Sequence, residues 1–132
     1  MRIAVDTNVL LRDALRDDPH QTPIASRTLQ SAELVVVPTL ALCEFVWVMR
    51  RLYKRSAAEI ALSIRLLMSG DNVELDRPAI EAGLEVLEDG GDFADGAMAY
   101  EGEWLGAEEF VSFDKEAVSL LKSQGKRARL LL

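Results

Sequence analysis

The sequence predicts an α/β fold, a three-layer α/β/α sandwich with a mainly parallel sheet of about five short strands. Three observations predict it. Short apolar runs alternate along the chain with longer amphipathic stretches, two of the runs are apolar at every position, and the 132 residues suit one compact domain. We therefore expect a single domain over residues 1–132 with one functional site.

Each predicted strand is separated from the next by one or two predicted helices. Strands are predicted at 3–5, 34–37, 73–75, 110–113 and 128–132, and helices at 23–31, 39–54, 57–68, 78–87, 93–105 and 115–123. The first two strands, Ile3-Ala4-Val5 and Leu34-Val35-Val36-Val37, are expected to be buried on two faces. Glycines at 70, 90, 91, 106 and 125 stand where helices should end, as expected of C-terminal glycines that can take a positive φ.

The composition is typical of a globular protein. Hydrophobic residues make up 49% of the chain and charged residues 28%, which is too apolar for disorder. Asp6 interrupts the N-terminal apolar run, so no secretory signal is expected, and the apolar stretch 40–49 is about half as long as a membrane span. Cys43 is the only cysteine, and we expect it to be a buried hydrophobe without a catalytic role. These features predict a cytoplasmic protein.

Two acids directly follow predicted strands. Asp6 follows the strand 3–5, and Asp114 follows the strand 110–113. Ligands of open parallel sheets bind at the carboxyl ends of the strands, so both carboxylates share one edge of the sheet if these strands are neighbours. The alternative is that each acid caps the helix after it, since Asp is a favoured N-cap residue.

Glu44 is the only charged residue in the stretch 40–49. We expect so apolar a helix to be largely buried, where a carboxylate is costly unless it is paired, coordinated or protonated. Pairing with Arg50 or Arg51 is the alternative. Those arginines lie six and seven residues further on, beyond the spacing of three or four that brings helical side chains together. Glu44 is therefore the acid that physical argument singles out most strongly.

Asp95 belongs to the segment Asp92-Phe93-Ala94-Asp95. Helix capping explains this segment well, with Asp92 as the N-cap and Asp95 at the third helical position. Only the presence of the other candidate acids favours a functional role for Asp95.

Together the acids form a set of four whose mutual repulsion favours a bound cation. Oxygen ligands select hard ions such as Mg²⁺ or Mn²⁺. His20 lies in a polar segment that predicts an exposed turn, and we do not expect it to bind metal. There is no plausible Ser/His/Asp or Cys/His set and no phosphate-binding glycine loop, so metal-assisted attack of water on a phosphoryl group remains. The set is Asp6, Glu44, Asp95 and Asp114.

Four motifs occur in order over almost the whole chain. They are Val5-Asp6-Thr7-Asn8-Val9-Leu10, Glu44 in its apolar helix, Asp92-Phe93-Ala94-Asp95 before a helix of small residues, and Ser112-Phe113-Asp114. This set resembles the PIN domain family and, within it, the VapC-type toxins of bacterial toxin–antitoxin pairs. Two positions depart from the pattern, Ser112 where Thr is commoner and Gly96 where Ala is usual. Neither departure removes an acid.

The resemblance implies a parallel sheet with helices on both faces and a divalent-metal endoribonuclease that leaves a 5′-phosphate. It implies Asp6 and Asp95 as the main metal ligands, with Glu44 and Asp114 completing the site directly or through water. Asn8 and Ser112 are implied as hydrogen-bonding residues behind the ligands. The expected cofactor is Mg²⁺, with Mn²⁺ as the alternative.

The net charge of −7 and the pI near 4.7 argue against a nucleic-acid partner, because phosphate binding relies on Lys and Arg. Acids concentrated in a metal site account for part of this charge. Two basic clusters are present, although cations also suit helix C-termini and solvated faces. Aromatic residues, at 6%, do not indicate base stacking. The clusters are Arg50, Arg51, Lys54 and Arg55, and Lys122, Lys126, Arg127 and Arg129.

The expected partners are RNA, an antitoxin and a second copy of the chain. The resemblance implies that a small antitoxin with basic side chains inhibits the protein, and an acidic chain suits such a partner. The helix 39–54 carries more apolar surface than one sheet contact needs, which indicates a homodimer face, with core packing as the simpler interpretation. The residues concerned are Trp47, Val48, Leu52 and Tyr53.

Three alternatives stay open. A Mg²⁺-binding phospho-receiver signalling domain also gathers acids at strand ends, but it needs an acidic pair after the first strand, where Asp6 is followed by Thr7-Asn8. A phosphatase with an aspartate nucleophile needs a second acid at the position of Asn8. A binding protein with a decayed site is the third, and retention of all four acids argues against it.

Overall fold

The computed structural model describes all 132 residues and contains seven helices and five short parallel strands. The α/β fold class predicted from the sequence is confirmed. The chain divides into two compact units, Met1–Asp76 and Arg77–Leu132, and each is described in turn. None of the seven helices has the length and apolar character needed to cross a membrane.

The first unit contains a three-stranded parallel sheet in the order β1-β2-β3. Ile3 of β1 pairs with Val35 of β2, and Val35 in turn pairs with Val73 of β3. Its elements are β1 (Arg2–Ala4), α1 (Thr7–Leu15), α2 (Gln21–Ser31), β2 (Leu34–Val36), α3 (Thr39–Arg51), α4 (Ala57–Met68) and β3 (Val73–Glu74).

The sheet of the first unit is buried on one face only, so the expectation of two buried faces for β1 and β2 is wrong. Val35 and the following Val37 are fully buried, whereas Val36 between them is 37% exposed. Ala4, the partner of Val36 in the register, is also exposed. Successive side chains of a strand point to opposite faces, so an entirely apolar run does not by itself require burial on both.

Helix α3 has one buried face and one exposed face, although most of its residues are apolar. Its buried positions repeat at three- and four-residue intervals, as one face of a helix does. Leu40 and Trp47 lie on the other side, with exposed fractions of 69% and 56%. The buried residues are Ala41, Leu42, Phe45, Val46 and Met49.

The second unit begins with two helices and ends with a two-stranded parallel sheet. Phe110 of β4 pairs with Ala128 of β5, and Ser112 pairs with Leu130. Its elements are α5 (Arg77–Glu88), α6 (Phe93–Trp104), β4 (Phe110–Ser112), α7 (Lys115–Ser123) and β5 (Ala128–Leu130). A buried apolar cluster of Val86, Val118, Leu121 and Ala128 joins α5, α7 and β5.

Helices α5 and α6 pack closely because glycines stand at their contacts. A Cβ atom on Gly96 would lie 2.4 Å from the carbonyl oxygen of Ala82, and one on Gly83 would lie 2.7 Å from the ring of Phe93. Neither distance is sterically allowed. The departure from the PIN pattern at residue 96 therefore fits a close helix contact in this chain.

Most predicted elements occur near their predicted bounds, and α4 and α7 match theirs. Helix α1 was not predicted. Gly90, Gly106 and Gly125 have positive φ as expected of helix-ending glycines, while Gly70 and Gly91 do not.

Candidate active site

Asp6 and Glu44 belong to the first unit and are linked through Thr7. Asp6 is the N-cap of α1, where its Oδ1 accepts a hydrogen bond from the backbone N–H of Val9 at 3.2 Å. The next residue, Thr7, donates from Oγ1 to Oε2 of Glu44 at 2.7 Å. This hydrogen bond ties the start of α1 to the middle of α3.

Glu44 is exposed, so the expectation that its carboxylate lies in a buried helix is wrong. Glu44 lies on the exposed side of α3, together with Leu40 and Trp47, opposite the buried stripe. Its carboxylate accepts a hydrogen bond from Thr7, a neutral hydroxyl donor from another helix. The desolvation argument for Glu44 therefore does not hold, and its candidacy depends on accessibility and on its orientation by Thr7.

Asp95 and Asp114 belong to the second unit, each at the start of a helix. Asp114 is the N-cap of α7, and its Oδ1 accepts hydrogen bonds from the backbone N–H groups of Glu116 and Ala117 at 3.0 and 3.1 Å. Asp92 is the N-cap of α6, and its Oδ1 accepts from the N–H of Ala94 at 3.1 Å. Capping thus accounts for part of the bonding of Asp6, Asp92 and Asp114, and it still leaves carboxylate lone pairs for a ligand.

Asp95 is half-buried and lies in a negative environment. Burial raises the pKa of its carboxyl group above the ordinary value, and the charges of Asp92 and Asp114 raise the pKa further. The effect of Asp114 shows that the acids at the starts of α6 and α7 act on one another. A cation placed among them would remove this repulsion.

The two predicted supporting residues differ in what they contact. Ser112 Oγ accepts a hydrogen bond from the backbone N–H of Asp114 at 2.9 Å, so it fixes the turn that carries this acid. Asn8 is exposed in the first turn of α1. The hydroxyl group that reaches Glu44 comes from its neighbour Thr7.

Two residues of the site were missed or undervalued in the sequence. Thr7 lies between Asp6 and Asn8, and only the contact between α1 and α3 reveals its role. Asp92 was identified as a helix cap, yet its charge also acts on Asp95. The spacing Asp92-Phe93-Ala94-Asp95 places the two acids about one helical turn apart, which is the signal that could have indicated this.

The donor chemistry of these residues fits a hard divalent cation, since every candidate ligand atom is a carboxylate oxygen. No three or more His, Cys, Asp or Glu side chains of the chain form a group that could hold a metal ion. Asp6 and Glu44 belong to the first unit, and Asp95 and Asp114 belong to the second.

Comparison with known proteins identifies the family. No curated protein matches the chain significantly. The family model described as PIN domain matches residues 3–119, which include the four candidate acids. The matched region spans most of the 132 residues, and this decides against the receiver-domain alternative. The chain therefore belongs to the PIN domain family, whose members are generally metal-dependent nucleases.

Proposed function

We propose that this protein is a Mg²⁺- or Mn²⁺-dependent endoribonuclease and the toxin of a type II toxin–antitoxin pair. One observation carries the proposal: in a chain of the PIN family, the charges of Asp92 and Asp114 both act on the half-buried carboxyl group of Asp95 and raise its pKa. A carboxylate with a raised pKa and acidic neighbours is characteristic of a functional site. A divalent cation is the partner that such a site requires.

Asp6, Glu44, Asp95 and Asp114 are the residues that we propose as metal ligands, within a single domain over residues 1–132. A bound cation would activate water and offset negative charge on the scissile phosphate. Asp95, which is half-buried, provides the most desolvated carboxylate of the set. Thr7 holds one oxygen of Glu44, and Ser112 holds the backbone of Asp114, so both acids are restrained before a ligand binds.

Metal dependence is tested on the purified chain with a labelled single-stranded RNA. Cleavage in Mg²⁺ or Mn²⁺, loss in excess EDTA and 5′-phosphate ends are expected. Asp95→Asn and Asp6→Asn should each lower kcat by roughly a hundredfold or more. Asp71→Asn is the matched control, because Asp71 is exposed in a loop outside the proposed site, and it should retain activity. Full activity in EDTA, or in both site variants, would refute the mechanism.

A second readout does not depend on turnover. Mg²⁺ or Mn²⁺ should raise the melting temperature of the wild-type protein, because a ligand that binds only the folded state stabilises it. The rise should be smaller in Asp95→Asn and unchanged in Asp71→Asn. An equal rise in all three proteins would place the metal elsewhere.

The proposed regulatory partner is a small antitoxin with basic side chains. The net charge of −7 gives the chain an attraction for such a protein, and the exposed carboxylates of Asp6, Glu44 and Asp114 are accessible to its cations. Co-expression with the product of a neighbouring gene should give a complex with suppressed RNA cleavage. Expression of the chain alone in the cytoplasm of the host should arrest the growth of the host. Expression of Asp95→Asn should not.

Homodimer formation is also proposed, with a face that differs from the one expected. Trp47 and Leu52 are exposed, whereas Val48 and Tyr53 are half-buried and Tyr53 Oη accepts a hydrogen bond from Arg12 at 3.1 Å. Helical periodicity separates Trp47 from Leu52 by roughly 140°, so the two do not share one face. The dimer contact is assigned to three exposed leucines of this unit that lie away from the side of α3 carrying Leu40 and Trp47, and light scattering of variants at these positions tests it. The leucines are Leu52, Leu62 and Leu66.

A further inference from the structure

We propose that the outer face of α3 is a binding track for single-stranded RNA, with Trp47 stacking on a base and Arg51 contacting the backbone. This inference rests on the proposed ribonuclease function and adds the conformation of the substrate and the residues that hold it. The track is defined by Glu44, Trp47 and Arg51, and it continues into Lys54 and Arg55.

The three helical residues of the track lie on one side of α3. Spacings of three and four residues place Glu44, Trp47 and Arg51 within roughly 60° of arc, and the rise from the first to the last is roughly 10 Å. All three are exposed, and this side is opposite the buried stripe of the helix. A strand lying along the track would therefore reach a proposed active-site acid at one end and cations at the other.

Trp47 has the geometry of a stacking residue. Its side chain is 56% exposed, and the guanidinium carbon of Arg51 lies 5.7 Å from the centroid of its ring. This is within the range of a cation–π contact, which restrains the ring and the arginine together. Exposed aromatic rings and guanidinium planes are the surfaces on which unpaired bases stack. Bases in a duplex are not available in this way, so the track selects single strands.

The cations at the end of α3 provide charge complementarity in an otherwise acidic chain. Lys54 takes a left-handed φ of 54°, and the N–H of Arg55 donates to the carbonyl group of Met49 at 3.0 Å. This turn holds the backbone of Arg55 against the last turn of α3. Arg55 forms an ion pair with Glu59 of α4 at 3.5 Å between exposed side chains, and a phosphate can readily replace such a pair.

A homodimer contact is the competing use of an exposed tryptophan. Charge favours RNA, because phosphates can neutralise Arg51, Lys54 and Arg55 together, whereas the track of a second copy offers one carboxylate, that of Glu44. The exposed leucines assigned to the dimer above do not lie on this track.

The test measures the affinity of the full chain for a fluorescent oligouridine in EDTA, where metal-dependent cleavage is suppressed. Trp47→Leu should weaken binding by roughly five- to 150-fold, the range of one base–aromatic stack. Trp47→Phe should restore most of the affinity. Trp104→Leu is the matched control, because Trp104 is 77% exposed in the other unit, and it should bind like the wild type. The same oligouridine annealed to oligoadenine should bind without dependence on Trp47.

Arg51→Met gives an independent measurement. The slope of log affinity against log salt should decrease in magnitude by about 0.7, as expected for the loss of one phosphate contact on a single strand. If Trp47→Leu fails to fold, as judged by circular dichroism, this slope decides the question. An unchanged slope in Arg51→Met would overturn the proposal.

Three further outcomes separate this proposal from the homodimer and ribonuclease proposals. If light scattering shows that Trp47→Leu converts a dimer into a monomer, the face holds a second copy and the RNA track is wrong. If oligouridine binding depends on Trp47 but Mg²⁺ or Mn²⁺ induces no cleavage, the RNA-binding track is supported and the ribonuclease function is refuted. If the oligomer is cleaved and Trp47→Leu binds like the wild type, only the RNA-binding track is refuted.

Discussion

The hydroxyl group of Thr7 donates to Oε2 of Glu44 across 2.7 Å, joining the first turn of α1 to the exposed side of α3. Thr7 directly follows Asp6, so the same short segment supplies one proposed metal ligand and orients another. This contact makes Thr7 a positioning residue, and it leads to the first prediction.

Thr7→Val should lower kcat/KM for RNA cleavage by about five- to tenfold, because one charge-assisted hydrogen bond is lost while the shape of the side chain is kept. Thr7→Ser, which retains the hydroxyl group, should restore activity. Thr28→Val is the matched control, since the hydroxyl group of Thr28 bonds only to the carbonyl group of Ile24 in its own helix. If both valine variants lose activity equally, Thr7 does not act through Glu44.

Asp95→Asn should raise the melting temperature of the metal-free protein at neutral pH. Burial and the charges of Asp92 and Asp114 disfavour the ionised carboxylate in the folded state, and the neutral amide removes these costs. Thermal unfolding in EDTA measures the change, with Asp71→Asn as the reference. A melting temperature below that of the wild type would mean that Asp95 makes favourable contacts that outweigh the repulsion.

The sequence predicted those parts of the fold that local chemistry determines. Helix α4 begins where Ser56 and Glu59 form a capping box, and α7 begins at Asp114, so both matched the predicted bounds. Asp6 and Asp114 follow β1 and β4 as predicted, although these strands belong to separate sheets and are not neighbours. In each case the residues that decide the structure lie within a few positions of one another.

The remaining features depend on contacts between distant segments. The burial of a helix face depends on what packs against it, so the apolar run around Glu44 did not reveal that Glu44, Leu40 and Trp47 share the exposed side. The bond from Thr7 to Glu44 spans 37 positions in the chain. Neither the exposed side of α3 nor this hydrogen bond can be inferred from composition or from residue spacing.

The N-terminus of α2 should lose stability in acid. Asp18 Oδ1 accepts hydrogen bonds from the N–H groups of Gln21 at 2.7 Å and His20 at 2.9 Å, and these bonds lower the pKa of its carboxyl group. A lowered folded-state pKa contributes stability above the ordinary Asp value of about 3.9, and that contribution disappears as the pH falls through the lowered pKa.

Urea unfolding of Asp18→Ala and the wild type should therefore show a difference in unfolding free energy at neutral pH that shrinks in strong acid. Asp18→Asn keeps an acceptor oxygen without a charge, so its stability relative to Asp18→Ala should vary little with pH. A gap between wild type and Asp18→Ala that persists unchanged in acid would show that the charge of Asp18 is not involved.

Gly96 and Gly102 both lie in α6 and should respond oppositely to alanine. A Cβ atom at Gly96 would meet the Ala82 carbonyl oxygen at 2.4 Å and Val86 Cγ2 at 2.8 Å, whereas the nearest atom to one at Gly102 is 3.9 Å away. Gly96→Ala should lower the free energy of unfolding by about 1–3 kcal/mol, because α5 and α6 must separate. Gly102→Ala should raise it by about 0.5–1 kcal/mol, since alanine is the better helix former.

Urea denaturation of the two variants gives both signs in one experiment. RNA cleavage by Gly96→Ala should fall as well, because Gly96 adjoins Asp95 and a shift of α6 moves this carboxylate relative to Asp114. Gly102→Ala should leave cleavage unchanged. If Gly96→Ala were as stable as the wild type, α6 would have to tolerate a displacement of several tenths of an ångström. The close helix contact would then not explain why glycine stands where alanine is usual.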